Sequence, residues 1–425
     1  VHDAVAVSGA VAAAFRLAAA RHRGPVFVDF SLEALFGTPA AGSPPAGDLA
    51  TGPPADTGAA GRDEPDPGSI EKIAALLAGS SRPVLVLGSD VWLESAEHAA
   101  QAAALAWQLP VIANGQGRGI LPAGHSLLVT RARATAFGEA DLVIVAGTPL
   151  DFRLGYGQFG GRNGAPPARV IHVADAPGQI ATHCELAASA AGSLSGFFSG
   201  LAAAACPGRA RAASWLPRLR SAARQAMAGD RALLASDATP IHPMRIYGEL
   251  ARLLGDDAVV IGDGGDFVSY AGRYIEPRQP GGWLDPGPYG CLGTGLGYAI
   301  GARLARPSAA VVLLLGDGAA GFSLMDADTL VRHRLPVVMI CGNNGIWGLE
   351  KHPMQALYGY DVAAELRPQT RYDEVVTALG GAGELVTEPD EIGPALHRAF
   401  DSGVPYLVNV ITDPSVAYPR STTGV

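Results

Sequence analysis

Two short motifs in the last third of the chain carry residue types suited to a metal-bridged diphosphate. The apolar run at 311–315 leads into Gly316-Asp317-Gly318, and the run at 337–341 leads into Gly342-Asn343-Asn344. A carboxylate, an amide oxygen and a backbone carbonyl are the donors Mg²⁺ takes when phosphates and water complete a shell of about six ligands. Glycines beside the aspartate let backbone approach an anion, and the first N–H groups of a following helix, SLMDADTLVRH, are expected to point toward it. A tight turn accounts for the first motif alone, and a helix cap for the second alone. Together they place an acid and an amide at the carboxyl ends of two strands, where parallel α/β sheets hold ligands.

Those strands need a scaffold. Residues 238–425 alternate β-rich runs (AVVIGD, AAVVLLLGD, PVVMICGN, PYLVNVIT) with helical stretches, and residues 69–205 show the same rhythm from SIEKIAALLAG and PVLVLGS to ADLVIVAG and ARVIHVAD. Near-continuous apolar strands predict parallel sheets covered on both faces. The fold class is thus α/β, with two doubly wound parallel-sheet domains. Residues 1–37 read as a helix, a turn (HRGP) and a buried strand (PVFVDF), a single αβ unit too small to be a domain. A linker rich in Pro, Gly, Ala and Asp follows at 38–68, and an Ala/Arg-rich connector at 206–237 joins the two domains.

Composition narrows the function classes. The net charge of −9 over 425 residues is spread without acidic blocks or basic clusters, which argues against nucleic acid or a membrane surface as partner. No apolar run approaches the roughly 20 residues of a membrane span. Cys184, Cys206, Cys291 and Cys341 have neither zinc spacing nor the density of a disulfide framework, so a reducing cytoplasm is expected. The opening VHDAVAVSGAVAAAFRLAAA reads as an Ala-rich helix rather than a secretory leader. These features favour a small-molecule function.

With both motifs in place, the chain resembles the thiamine diphosphate enzymes, and most closely the acetolactate synthase large-subunit group, over essentially its whole length. The resemblance implies Mg²⁺ held by Asp317, Asn344 and the backbone carbonyl of Ile346. It implies Gly316, Gly318 and Ala319 against the diphosphate, with Gly262, Gly264 and Gly265 of the GDGGDF turn facing it from the other side. In DPGPYGCLGTGLGYAIGA it makes Gly290 the acceptor for the 4′-amino group and Leu292 the residue that keeps the cofactor bent, so that its 4′-nitrogen reaches the thiazolium C2 proton.

In the other domain, ADLVIVAG runs into TPLDFRLGYG, similar to the synthase loop whose arginine takes the acceptor's carboxylate; here that residue is Arg153. A planar guanidinium suits the task because it binds a carboxylate with two parallel hydrogen bonds and stays charged. The resemblance further implies FAD, or ADP, in this domain, with Arg133 against its phosphates and Asp175 on a ribose. Ala174 and Ala176 stand where the synthases carry acidic residues, and Pro353 stands where they carry an acceptor-contacting tryptophan.

The function implied is decarboxylation of pyruvate and ligation of the two-carbon unit to a second 2-keto acid, as in branched-chain amino acid biosynthesis, by a homodimer or homotetramer. A regulatory subunit is left open. The family's catalytic glutamate belongs to an N-terminal pyrimidine-binding domain of which residues 1–37 resemble only the end. Neither Glu33 nor a neighbour lies in its motif, so the chain is expected to be incomplete and the glutamate is assigned to no residue. A second reading is a 2-hydroxyacyl-CoA lyase or oxalyl-CoA decarboxylase type, which CLGTGLGYAIGA also resembles, with Arg367, Arg371 and Arg420 available to CoA phosphates. A third is a non-catalytic fragment that binds the diphosphate end of the cofactor.

Overall fold

Every residue of Pro83–Leu87 is buried, which requires cover on both faces of its sheet. The computed structural model describes residues 1–38, 64–164, 166–205 and 214–419. In it β1 (Pro83–Leu87), β2 (Val111–Ala113), β3 (Leu142–Ala146), β4 (Arg169–Ala174) and β5 (Ala188–Ala191) form one sheet in the order β2-β1-β3-β4-β5. All its pairings are parallel. Alternate residues serve opposite cores: Leu85 and Leu87 join one apolar cluster, Val84 and Val86 the other.

The second sheet repeats the plan. Its strands β6 (Val259–Gly262), β7 (Trp283–Leu284), β8 (Val311–Gly316), β9 (Val338–Asn343), β10 (Ala382–Val386) and β11 (Tyr406–Ile411) lie in the order β10-β11-β9-β8-β6-β7. Here too every pairing is parallel. Leu313 and Leu315 pack on one side of β8, Val312 and Leu314 on the other. The two doubly wound α/β units expected from the strand rhythm are both present.

The described parts of the two connecting segments lead into helices. Residues 39–63 of the expected linker and 206–213 of the expected connector lie outside the described residues. The linker's end is a helix start: Asp66 caps Pro67–Ala78 by accepting from Ser69 N–H at 2.8 Å, and Pro67 needs no donor at that position. Most of the connector is the helix Trp215–Leu234. Trp215 Nε1 donates to the Pro83 carbonyl at 3.0 Å. Near the other end, the buried Asp230 pairs with Arg131 of the first domain and, at 2.9 Å, with Arg273 of the second. The connector is therefore a brace between the domains.

One expected element is absent. The helix Val7–Ala19 forms, but residues 25–30 (PVFVDF) make no strand, and Phe27 is 91% exposed. A β-rich run becomes a strand only beside a neighbour that takes its N–H and C=O groups, and among the described residues neither sheet pairs with it. Among those residues, too, no helix is long and apolar enough to cross a membrane.

Candidate cofactor site

Strands β8 and β9 are neighbours in register, Leu315 beside Cys341 and Gly316 beside Gly342. The GDG and NN motifs therefore leave the sheet at the same level and side by side. Gly316 is still extended, with φ −77° and ψ 163°, and Asp317 already begins the helix Asp317–Ser323. This corrects the expectation that SLMDADTLVRH supplies the first helical turn. That segment's own helix, Ala327–Arg332, starts well beyond the motif, because the chain turns helical inside the motif itself.

Asp317 joins the two motifs. Its Oδ1 accepts from Gly318 N–H at 2.9 Å and its Oδ2 from Gly345 N–H at 2.6 Å. The side chain is buried, and among the described residues no arginine, lysine or histidine pairs with it. Burial pushes its carboxyl up to about 6, against the pull of the Gly345 and Gly318 amides. A buried carboxylate held by backbone donors and lacking a cationic partner is a fitting ligand for a hard divalent cation. Asn344 stands next to it: its Nδ2 donates to Asp266 Oδ2 and its Oδ1 accepts from Ile346 N–H, each at 3.2 Å.

These groups border a pocket of about 420 Å³ between the two domains, lined by Gly316, Asp317, Gly318, Ala319 and Ile346 on one side. Asn344 lies just outside that lining, bonded to two residues within it. Across the pocket are Gly264 and Gly265, with φ of +130° and +91°; the first lies so close to Leu292 that a Cβ there would be 2.4 Å from Leu292 Cδ2. Gly290, left-handed at φ +62°, and Leu292 line the same space. Gly262 does not. It ends β6 beneath Val268, whose Cγ1 would be 2.5 Å from a Cβ on it, so its small size serves packing rather than the pocket.

The first domain contributes Arg153, whose guanidinium is already paired with Asp151 at 2.8 Å. Arg133 is not among the residues that line the pocket. Its guanidinium lies 4.7 Å from the Phe137 ring and donates to the Arg153 carbonyl, and desolvation lowers it to about 10. Asp175, at the end of β4, is buried and engaged by His22 Nδ1 at 2.9 Å. Arg371 is held by Asp373 at 2.6 Å and Glu374 at 2.9 Å, which leaves little of it for a CoA phosphate; Arg420 lies outside the described residues.

Two lining residues were not singled out in the sequence, although the second lies within the GDGGDF turn. Arg118 follows β2 in a loop without periodicity and reaches the pocket over the Trp283 ring, 5.2 Å from its centroid. Asp266, in the first turn of the helix Gly265–Tyr274, reads in sequence as an ordinary acidic residue at a helix start.

Parallel-strand ends carrying a buried acid, an amide and a glycine-lined pocket define a thiamine diphosphate-binding domain. Residues 263–410 match the model for the C-terminal TPP-binding domain of thiamine pyrophosphate enzymes, and residues 70–201 match the model for their central domain. The chain belongs to this family, and within it is an acetolactate synthase homologue. It is 49% identical over 410 residues to a protein of Mycobacterium bovis named probable acetolactate synthase, covering 96% of this chain and 72% of the relative. The acetolactate synthase large subunit IlvG of Mycobacterium tuberculosis gives the same values. The human 2-hydroxyacyl-CoA lyase 2 is 32% identical over 356 residues, 81% of this chain and 55% of that protein.

Proposed function

We propose that the chain binds thiamine diphosphate through Mg²⁺ and, acting with a pyrimidine-binding domain that supplies the family's glutamate, forms acetolactate, or a homologous 2-hydroxy acid, from pyruvate and a second 2-keto acid. The observation that carries this reading is the Asp317–Gly345 hydrogen bond, which locks the two motifs together beside a glycine-lined pocket. Asp317, Asn344 and the Ile346 carbonyl would hold Mg²⁺, with Gly316, Gly318 and Ala319 on one side of the diphosphate and Gly264 and Gly265 on the other. When bound, thiamine diphosphate supplies an electron sink for the carbon that loses carboxylate. Gly290 would accept from the 4′-amino group, and Leu292 would press the cofactor into its bent form.

Arg153 would orient the second keto acid by its carboxylate, one arm of the guanidinium staying with Asp151. FAD or ADP would occupy the central domain near Asp175, and the active form would be a cytoplasmic homodimer or homotetramer. These assignments rest on family resemblance, as does a role in branched-chain amino acid biosynthesis.

The test is incubation of the chain, together with the pyrimidine-binding domain that carries the family's glutamate, with pyruvate, thiamine diphosphate and Mg²⁺, followed by acid conversion of acetolactate to acetoin and a colour assay. Acetoin is expected when that domain is supplied. Substitution Arg153→Gln is expected to raise KM for the second keto acid about tenfold or more, the loss of one charge-assisted pair. Release of formyl-CoA from a 2-hydroxyacyl-CoA, with no acetoin from pyruvate, would instead establish the lyase reading that the 32% identical human relative favours.

A further inference from the structure

An amide side chain offers a metal its oxygen in one orientation and its NH₂ in the other, and only the first is a ligand. For Asn344 two neighbours of opposite character set the choice. Its Nδ2 donates to Asp266 Oδ2, and its Oδ1 accepts from the Ile346 N–H. Turning the amide over would put Oδ1 against a carboxylate and NH₂ against an N–H. Both hydrogen bonds would be lost and two repulsions gained.

Asp266 is itself held firmly. It is 9% exposed, its Oδ1 accepts from Phe267 N–H at 2.8 Å, and Gly348 passes so close that a Cβ there would sit 2.3 Å from Oδ2. It reaches Asn344 from the first turn of the helix Gly265–Tyr274, so the amide is held by one residue of its own loop and by one from another element. Its second oxygen has no donor role to play, and a carboxylate can only accept. Asp266 therefore discriminates between the two faces of the amide, as a neutral acceptor-donor group would not.

We propose that Asp266 is a positioning residue of the metal and diphosphate site, fixing Asn344 with its oxygen toward the metal. The proposal rests on the reading of this pocket as a Mg²⁺ and thiamine diphosphate site. It requires no contact between Asp266 and the metal.

The test is a double-mutant cycle of Asp266→Asn and Asn344→Asp on the full chain, read as Mn²⁺ affinity with thiamine diphosphate present, from loss of the free-ion paramagnetic resonance signal. Folding of each variant is checked by thermal melting. The single change at 266 introduces a second NH₂ group and is expected to weaken Mn²⁺ binding about 10-fold or more, as loss of a partner behind a metal ligand does. In the double variant donor and acceptor simply exchange places: an amide at 266 donates to a carboxylate at 344, which still accepts from Ile346 N–H.

Asn344→Asp is thus expected to improve affinity at least about tenfold more in the 266 variant than in the wild type. Equal effects in the two backgrounds would overturn the proposal while leaving the site intact. No Mn²⁺ binding by the wild type would instead overturn the proposed function, and the positioning role with it.

Discussion

The indole of Trp347 lies directly over Gly318, so that a Cβ on Gly318 would be 2.5 Å from its Cζ3. Trp347 follows Ile346 in the loop after β9, and Gly318 follows Asp317 after β8, so this contact closes the floor of the pocket where the diphosphate would lie. The substitution Gly318→Ala must push the indole aside. It is expected to weaken thiamine diphosphate binding about tenfold or more and to cost about 1–3 kcal/mol of stability, the usual penalty of overpacking. Calorimetric titration beside a thermal melt measures both, and unchanged affinity would contradict the contact's importance.

His22 and Asp175 make a second specific prediction. The carboxylate that would receive a ribose hydroxyl is already paired with His22 Nδ1 at 2.9 Å, so a nucleotide must displace the imidazole. With His22 about one-third exposed, the pair is worth a modest amount, and His22→Ala is expected to tighten ADP or FAD binding about two- to fivefold. Equilibrium dialysis of both nucleotides against the two chains is the check. Weaker binding after the substitution would mean that His22 belongs to the nucleotide site instead of competing with it.

Asp90 gives the molecule a pH dependence near this cluster. Burial, and then the Asp175 carboxylate, push its carboxyl up to about 6, although His22 pulls it down. An unfolded aspartate titrates near ~3.9. The folded chain therefore holds this proton more tightly than the unfolded chain, and the resulting stabilisation is complete below about pH 4 and lost as the pH rises through about 6. Asp90→Asn is expected to melt several degrees above the wild type at pH 7.5, with the gap closing as the pH falls toward 4. A gap that does not change with pH would count against this account.

The strands and the two motifs were legible in the sequence because both are local. Fully apolar runs such as 311–315 and 337–341 declare a buried parallel sheet, and their shared glycine endings announce matched strand ends. Gly264, Gly265, Gly290, Leu292 and Arg153, which the resemblance singled out, all line the pocket. What escaped depends on partners distant in the chain. PVFVDF has strand composition but no neighbouring strand. Gly262 sits in the same turn as Gly264 and Gly265 yet faces Val268. Asp175 meets His22 across 153 residues. Asp266 looks like any acid at a helix start until its carboxylate is seen against the Asn344 amide.

The most direct test of the central claim is calorimetric titration of the chain with thiamine diphosphate, with and without Mg²⁺, for the wild type and Asp317→Ala. The account predicts saturable binding by the wild type that requires the metal and falls at least about 100-fold in the variant, which loses a charged metal ligand. Binding that is equally tight without Mg²⁺, or unchanged when Asp317 is removed, would contradict it.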